Sequence, residues 1–326
     1  MSHEKYVSKM PPRISIITPN YNHSKFLEES ITSVLNQTHK PDEYIIIDDG
    51  STDQSINIIR QFEKIPFVKV IYNKKNKGST CNSNKILKIA TGDFILFLSA
   101  DDFLEPILIE RYRKFLVQYP DIGFICARSN KVDINSHKIG TYKIPSSIPS
   151  GFINPFKARS LLFKYGSYFY GNTVLMNRRK VIEIGGFNPN LLSFVDGIIY
   201  ITLALKYGFV YVDHVLSNYR RHEEAYSTDT YRNIHKLRKI EKETLKFMRK
   251  KPYIFDDSFI KRWKKRWIYI KFNARLLKHK EIPTLAKIAL SGGAYVFFRW
   301  FDSLNLTILD IKAFLRECRR SRHNVL

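Results

Sequence analysis

Phe94-Ile-Leu-Phe-Leu-Ser-Ala-Asp-Asp102 is a short apolar run that ends in two adjacent carboxylates. It has strand length and no helical period, so it reads as a buried strand of a parallel sheet. Asp101 and Asp102 then stand just past its carboxyl end, where open α/β sheets bind their ligands. Paired hard oxygens there suit Mg2+ or Mn2+, which in turn would hold a phosphate. The local alternative is that Asp102 caps a helix starting near Pro106.

The chain before this stretch repeats its pattern. Arg13–Thr18 is a β-branched run, followed by the turn-rich Pro19-Asn-Tyr-Asn22. Ser24 can cap a helix to about Asn36, with Phe26, Leu27, Ile31, Val34 and Leu35 on its buried side. Tyr44–Ile47 is a second strand ending in Asp48-Asp49-Gly50. Ser51 and Gln54 have the spacing of a capping box and open a helix to about Phe62. Val68–Tyr72 is a third strand, and Gly78 precedes a helical stretch up to Ala90. Strands alternating with helices in this way make a parallel α/β half-domain with right-handed crossovers. Thr18-Pro19, Asp48-Asp49 and Asp101-Asp102 therefore share one sheet edge and converge on one crevice. No G-x-G-x-x-G follows the first strand, so this is not the usual dinucleotide site. Pro19, Tyr21 and Asn22 offer a ring and an amide, which suit a base.

Four segments carry a family resemblance: Ile16-Ile-Thr-Pro-Asn-Tyr-Asn22, Ser33-Val-Leu-Asn-Gln-Thr38, Ile47-Asp-Asp-Gly-Ser-Thr-Asp53 and Ala90–Asp102. In order and spacing they resemble family 2 of the inverting glycosyltransferases. The resemblance implies a GT-A fold, α/β and mostly parallel, and a nucleotide-diphospho-sugar donor. It also implies site residues. Pro19 and Tyr21 would flank the nucleobase and Asp49 would accept its ring N–H. Asp101 would reach the ribose, Asn84 would belong to the donor site, and Asp102 would bind Mn2+ or Mg2+ under the diphosphate. Two positions depart from the family pattern. Ser99 stands where the metal motif often begins with Asp, and Ser83 stands where an Arg often precedes the Asn. A phosphate-facing cation would then come from Lys77 or Lys85.

Beyond Asp102, Ile107–Gln118 reads as a helix, Ile122–Cys126 as a strand and 133–158 as a loop excursion. The aromatic run Phe163–Tyr170 reads either as a strand packed on the core or as a platform for an acceptor sugar. Gly171–Arg179 and Ile184-Gly-Gly-Phe-Asn188 again match the family, whose Gly-Gly-Phe precedes an acceptor-side Glu-Asp. Here only Asp196 is acidic and Gly197 is its neighbour. The resemblance makes Asp196 the general base, held ionised by the helix dipole; the local alternative is an N-cap. Phe209–Val212 is a further strand. Tyr219-Arg-Arg-His222 closes the resemblance, which implies that His222 meets the metal or diphosphate; otherwise it is a surface-loop histidine.

The formal charge is +24 over 326 residues, and residues 230–326 carry 25 Lys/Arg against 8 Asp/Glu, a net of +17. Residues 227–326 read as a separate helical module after a catalytic domain at 1–226. Ile260, Trp263, Trp267, Ile270, Ala274 and Leu277 fall on one helix face, with Lys261, Lys264, Lys265, Lys271 and Lys278 off it. Two readings stand: an anionic membrane surface, or a helix packed on the catalytic domain with solvated lysines. Leu285–Phe301 is a further apolar stretch, interrupted by Lys287 and Arg299, and is not expected to span a bilayer. No nucleic-acid recognition motif accompanies the charge, so no nucleic acid is expected. Cys81, Cys126 and Cys318 are odd in number and scattered, and residues 1–13 lack an apolar h-region. A cytoplasmic setting is expected, with association at the cytoplasmic face of the membrane.

The expectation is thus a metal-dependent inverting glycosyltransferase with a basic C-terminal α-helical extension. Its acceptor would be a carbohydrate or lipid-linked hydroxyl, in cell-surface polysaccharide or glycoconjugate synthesis. The alternatives are a nucleotidyltransferase, or a non-catalytic adaptor on a degenerate transferase fold.

Overall fold

The computed structural model describes residues 11–142, 148–222, 230 and 233–278. Its first half is built by the β-branched runs. Strands β1 (Ile14–Asn20), β2 (Glu43–Asp48), β3 (Val68–Tyr72) and β4 (Phe94–Phe97) lie in the order β3-β2-β1-β4, all parallel. Helices α1 (Ser24–Leu35), α2 (Ser55–Arg60) and α3 (Ser79–Ile89) make the crossovers. Ile14, Ile16 and Ile17 are all buried, because the central parallel strand is covered on both faces. Register pairs Asn20 with Asp48 and Ile17 with Phe97. The three polar clusters therefore end on one edge, as the alternation of strands and helices predicts.

The second half is mixed rather than parallel. After β5 (Phe103–Leu104) and α4 (Leu108–Gln118) come β6 (Phe124–Val132), β7 (Lys138–Thr141) and β8 (Gly151–Ile153). Then follow α5 (Pro155–Tyr165), β9 (Leu175–Asn177), α6 (Arg178–Glu183), α7 (Val195–Tyr207) and β10 (Phe209–Arg220). β9 is antiparallel to both β4 and β6, whereas β10 runs parallel to β6. β5 pairs antiparallel with Ser217 and Asn218 of β10, which brings the segment after Asp102 to the far end of that strand.

Several local expectations change in the tertiary setting. α2 opens at Ser55 rather than near Ser51, because the Ser51 hydroxyl accepts from Asn22 N (2.9 Å) and Asn20 Nδ2 (3.1 Å) in the first loop. Ser24 does not cap α1; its N–H donates to Asp53 (2.9 Å). Residues 133–158 are not one loop, since they contain β7, β8 and the start of α5; residues 143–147 lie outside the described residues. The aromatic run is not a strand. Phe163 and Tyr165 end α5, which Asn154 caps and Pro155 begins, and the rest is irregular. Phe169 packs on Phe124 and Phe209 in the core.

The apolar stretch Pro189–Tyr207 has the length and mean hydropathy of a membrane span. It is broken at Leu192 (φ 49°, ψ −133°), and α7 buries most of its residues in the fold. After α8 (Ile234–Arg249), capped by Asn233, α9 runs from Asp257 to Lys278. The chain divides into two compact units, Met1–Ile260 and Lys261–Leu326. Within the described part of α9, Trp263 and Trp267 are buried, with ring centroids 5.0 Å apart, whereas Lys261, Lys264 and Lys265 are exposed. Leu285–Phe301 lies outside the described residues.

The edge opposite the polar clusters is locked by Glu43. It is buried, and it accepts from Ser15 Oγ (2.6 Å), Thr91 N (2.9 Å) and Lys69 Nζ (2.7 Å). Burial would raise its carboxyl, but these bonds outweigh it and hold the carboxyl below the ordinary value. Gly92 donates its N–H to Ser15 Oγ at 2.9 Å, and a Cβ there would lie 2.5 Å from that oxygen and 2.6 Å from Ser15 N. Gly92→Ala should therefore destabilise the fold by about 1–3 kcal/mol, the cost of overpacking a tight contact. A thermal midpoint indistinguishable from the parent protein would show that this edge can relax.

Candidate active site at the carboxyl edge of the sheet

The two carboxylates after β2 do different work. Asp48 holds the turn: its oxygens accept from Asn20 Nδ2 and Ser51 N, both at 2.9 Å. Asp49 reaches across to the loop before α3, accepting from Asn73 Nδ2 (2.9 Å), Lys77 N (3.0 Å) and Gly78 N (2.8 Å). Burial would raise the Asp49 carboxyl, but these N–H groups outweigh it and keep it ionised below the ordinary range. Gly50, at φ 78°, lets the chain pass against Lys75, where a Cβ would be 2.9 Å from Cα. Pro19 is half-buried beside this turn and Tyr21 is exposed at the mouth of the crevice. Asn22 adopts φ 57° and its Oδ1 accepts from Thr52 N at 2.8 Å, so the first two loops are tied together.

Past β4 the chain turns through Ser99 and Asp102, with Asp102 N donating to Ser99 O at 3.0 Å. Asp102 is 3% exposed, and its Oδ1 accepts from the backbone N–H of Arg220 at 2.9 Å. Burial and the adjacent Asp101 charge push its carboxyl well up, against the pull of Arg220 and a hydrogen bond from Asn172. Asp101 faces the other way, with Oδ2 2.8 Å from His222 Nε2. Burial would raise Asp101 too, but His222 and the Ser99 hydroxyl outweigh it and leave it below the ordinary value.

Arg220 was not singled out by sequence reasoning, and it organises this turn. It is 1% exposed. Its Nε donates to Asp101 O (2.8 Å), its Nη1 to Asp133 O (2.9 Å) and Ser136 Oγ (3.1 Å), and its Nη2 to Glu29 of α1. The guanidinium also stacks 4.6 Å from the Phe26 centroid. Strand alternation was the available signal: in Tyr219-Arg-Arg-His222, positions 220 and 222 share one side and 219 and 221 the other.

A 3-10 turn, Gly171–Thr173, precedes β9 beside Asp102. Asn172 reaches Asp102 from it, and its own buried Oδ1 has no hydrogen-bond partner among the described residues. A Cβ at Gly171 would be 3.3 Å from the Tyr200 hydroxyl, and Tyr200 lies one turn after Asp196 on α7. Asp196 makes no capping bond; the N-cap of α7 is Phe194, so the capping alternative is not observed. Asp196 is exposed by accessible surface, yet the protein gathered around it desolvates its charged form and raises the carboxyl to about 6, rather than the helix dipole holding it low. Asn84 is committed elsewhere: its Nδ2 donates to Phe187 O (2.7 Å) and its Oδ1 accepts from Phe187 N (2.9 Å), pinning the Gly-Gly-Phe turn to α3.

Asp102 and the unpartnered amide oxygen of Asn172 are hard donors that suit a divalent cation, whereas Asp101 and His222 engage each other at 2.8 Å. Among the described residues no group of three or more His, Cys, Asp or Glu side chains could hold a metal ion by itself. An open set of few protein ligands is what a cation shared with a diphosphate needs.

Removing the guanidinium should be costly, because the carbonyls of Asp101 and Asp133 lose a donor and the buried Asp102 loses a nearby positive charge. Arg220→Ala should lose about 1–3 kcal/mol of stability for each buried group left unmet. Glu29→Gln, which keeps an acceptor at the half-open end of the network, should lose less. Equal midpoints for the two variants in thermal unfolding would refute this ranking.

The family described as "Glycosyl transferase family 2" matches residues 15–185, more than half of the chain. TuaG of Bacillus subtilis, named for teichuronic acid biosynthesis, is 38% identical over 108 residues, which is 33% of this chain and 43% of that protein. An uncharacterised glycosyltransferase of Haemophilus influenzae is 43% identical over 108 residues, again 43% of its length. The chondroitin synthase of Escherichia coli is 28% identical over 226 residues, or 68% of this chain and 31% of that one. The match thus spans less than half the length of each of these relatives. Among solved structures, Staphylococcus aureus TarS 1-349 in complex with UDP-GlcNAc superposes with a TM-score of 0.58 at 18% identity, covering 80% of this chain and 72% of that one. The mannosyltransferase PcManGT of Pyrobaculum calidifontis, in complex with GDP-Man and Mn2+, gives 0.55 at 16% identity, covering 90% and 87%. With the crevice, the paired carboxylates and the sheet order already in place, these matches identify the chain as a member of glycosyl transferase family 2, with the α/β architecture of the GT-A glycosyltransferases.

Proposed function

We propose that this protein transfers a sugar from a nucleotide-diphospho sugar to an acceptor hydroxyl, with inversion, in the synthesis of a surface polysaccharide or glycoconjugate. The observation that carries this reading is the junction at Asp102. On one side lie the loops of Asp49 and Tyr21, and on the other the turn that leads through Tyr200 to Asp196. Donor and base sides thus flank one pair of carboxylates.

Tyr21 and Pro19 border the nucleobase, and Asp49 stands beside them to accept its ring N–H. Asp102, with the Asn172 amide oxygen beside it, would hold Mn2+ or Mg2+ together with the diphosphate, and Asp101, paired with His222, would reach the ribose. A divalent cation bound there neutralises charge developing on the departing nucleoside diphosphate. Asp196 removes the proton of the acceptor hydroxyl as its oxygen bonds to the anomeric carbon and the bond to the diphosphate breaks. A carboxyl raised to about 6 is a stronger base than an ordinary aspartate while remaining ionised at neutral pH. TarS and PcManGT, by the ligands in their structures, support a nucleotide-sugar donor.

The test is turnover across a panel of UDP- and GDP-sugars, with Mn2+ and with excess chelator. Transfer or donor hydrolysis should appear with Mn2+ and vanish with chelator; full activity in chelator removes the metal from the mechanism. Asp196→Asn should lower turnover by about 10²–10⁴-fold while leaving nucleotide affinity unchanged. Because the deprotonated form is the base, the rate of the parent protein should fall about tenfold per pH unit below about 6 and level off above it. A rate unchanged down to pH 5 would assign the proton to another acceptor.

For location we propose association with an anionic membrane at the cytoplasmic face. The support is the net charge of +17 in residues 230–326 and the exposed Lys261, Lys264 and Lys265. With Trp263 and Trp267 buried, attraction would rest on lysines, at about 1 kcal/mol each near the surface. The chain should co-sediment with phosphatidylserine vesicles at low salt and release at high salt, since exposed charges are screened beyond about 8–10 Å. Equal sedimentation with neutral vesicles, or none with anionic ones, would reject this location.

A further inference from the structure

The side of β10 away from Arg220 gathers a different set of groups. Tyr219 stands opposite Lys131 in the parallel register of β10 and β6. The Tyr142 ring lies 5.6 Å from Tyr219, edge-on, and 4.4 Å from Tyr170. Lys131 Nζ lies 4.5 Å from the Tyr142 centroid, and the exposed Arg221 hydrogen-bonds the Tyr142 hydroxyl. All three tyrosines are half-buried rather than closed into the core. Each also belongs to a segment that borders Asp102. Tyr219 precedes Arg220, whose N–H is on Asp102, and the Tyr170 carbonyl accepts from Thr173 N (2.9 Å) in the turn that presents Asn172 to it. Tyr142 is near enough to feel the Asp102 charge. The next residue of that turn after Tyr170, Gly171, meets Tyr200 on the helix of Asp196. The cluster therefore lies on the base side of Asp102, away from the loops of Asp49 and Tyr21.

We propose that this cationic, tyrosine-lined face is the acceptor subsite, and that it takes a sugar bearing a negative charge, as carboxylate or phosphate. Aromatic edges and phenol hydroxyls suit the mixed C–H and O–H surface of a sugar ring. An ammonium and a guanidinium on one ring favour an anion, which accepts charge-assisted hydrogen bonds that a neutral sugar cannot match. The platform is thus not the run Phe163–Phe169, which α5 and the core absorb, but Tyr170 with two partners distant in sequence. The inference rests on the transferase reading above.

The test is a glycan array probed with the full chain in UDP and Mn2+, with uronate-bearing, phosphorylated and neutral glycans as separate arms. Binding should concentrate on one of the two acidic arms, which names the source of the charge. The double variant Lys131→Gln/Arg221→Gln should lose about tenfold or more of that signal, the size expected when a hydrogen bond to a charged group is removed. Its circular dichroism and its calorimetric affinity for UDP should match the parent protein, and Arg221→Lys alone should recover part of the signal. Equal binding to neutral glycans, no binding to any arm, or an unaffected double variant would overturn the subsite. UDP or GDP binding by the parent protein separates the two levels: nucleotide bound without acidic glycan rejects this inference alone, and no nucleotide bound rejects the transferase reading with it.

Discussion

Burying the guanidinium of Arg220 is the constraint on which the rest of the site depends. A charge taken out of water is tolerated only when its donors are met, and here each nitrogen finds a partner on a different part of the chain. Glu29 comes from α1, Asp133 and Ser136 from the turn after β6, and Asp101 from the turn after β4. The same residue's backbone N–H takes Asp102. Four segments far apart in sequence must therefore assemble together, and when they do the two carboxylates are already separated. One faces His222 and the other the Asn172 turn.

That separation leaves two differently built sides. On one, Asp48 and Asp49 spend their oxygens on protein N–H groups, which tie the loops after β1, β2 and β3 together. Preorganised dipoles of this kind need not reorient during reaction. On the other side, Tyr200 stands one turn after Asp196 and feels its charge, and a Cβ at Gly171 would come 3.3 Å from the Tyr200 hydroxyl. Desolvation by the surrounding protein pushes the Asp196 carboxyl upward to about 6.

The two departures from the family pattern acquire physical meaning in this setting. Ser99, in the place of a third carboxylate, hydrogen-bonds Asp101 and helps keep it ionised without adding a further negative charge beside the buried Asp102. Ser83 is buried on α3 next to Asn84, which is consumed by the Gly-Gly-Phe turn, so neither is a free cation-bearing position on the donor side. Arg221, exposed, follows Asp102's own partner just past the end of β10.

How much was legible in the sequence follows from the range of the interactions. The alternation of β-branched runs with amphipathic segments determined β1 to β4, their helices and the edge shared by Pro19, Asp49 and Asp101, because strand period and crossover handedness are local rules. Capping went the other way: Ser51 and Ser24 look like helix starts, yet Ser51's hydroxyl and Ser24's N–H are taken by loops from other strands. The antiparallel β9, the long β10 and the placement of 163–170 were hidden for the same reason, since their neighbours are distant in sequence. Asp196 was singled out by its place in the motif series, and its raised carboxyl depends on how much protein surrounds it. Only tertiary structure could decide that Asn84 is a strut, that Arg220 is a buried clamp and that Tyr142, Tyr170 and Tyr219 meet, because each of these is fixed by contacts between segments that no sequence period connects.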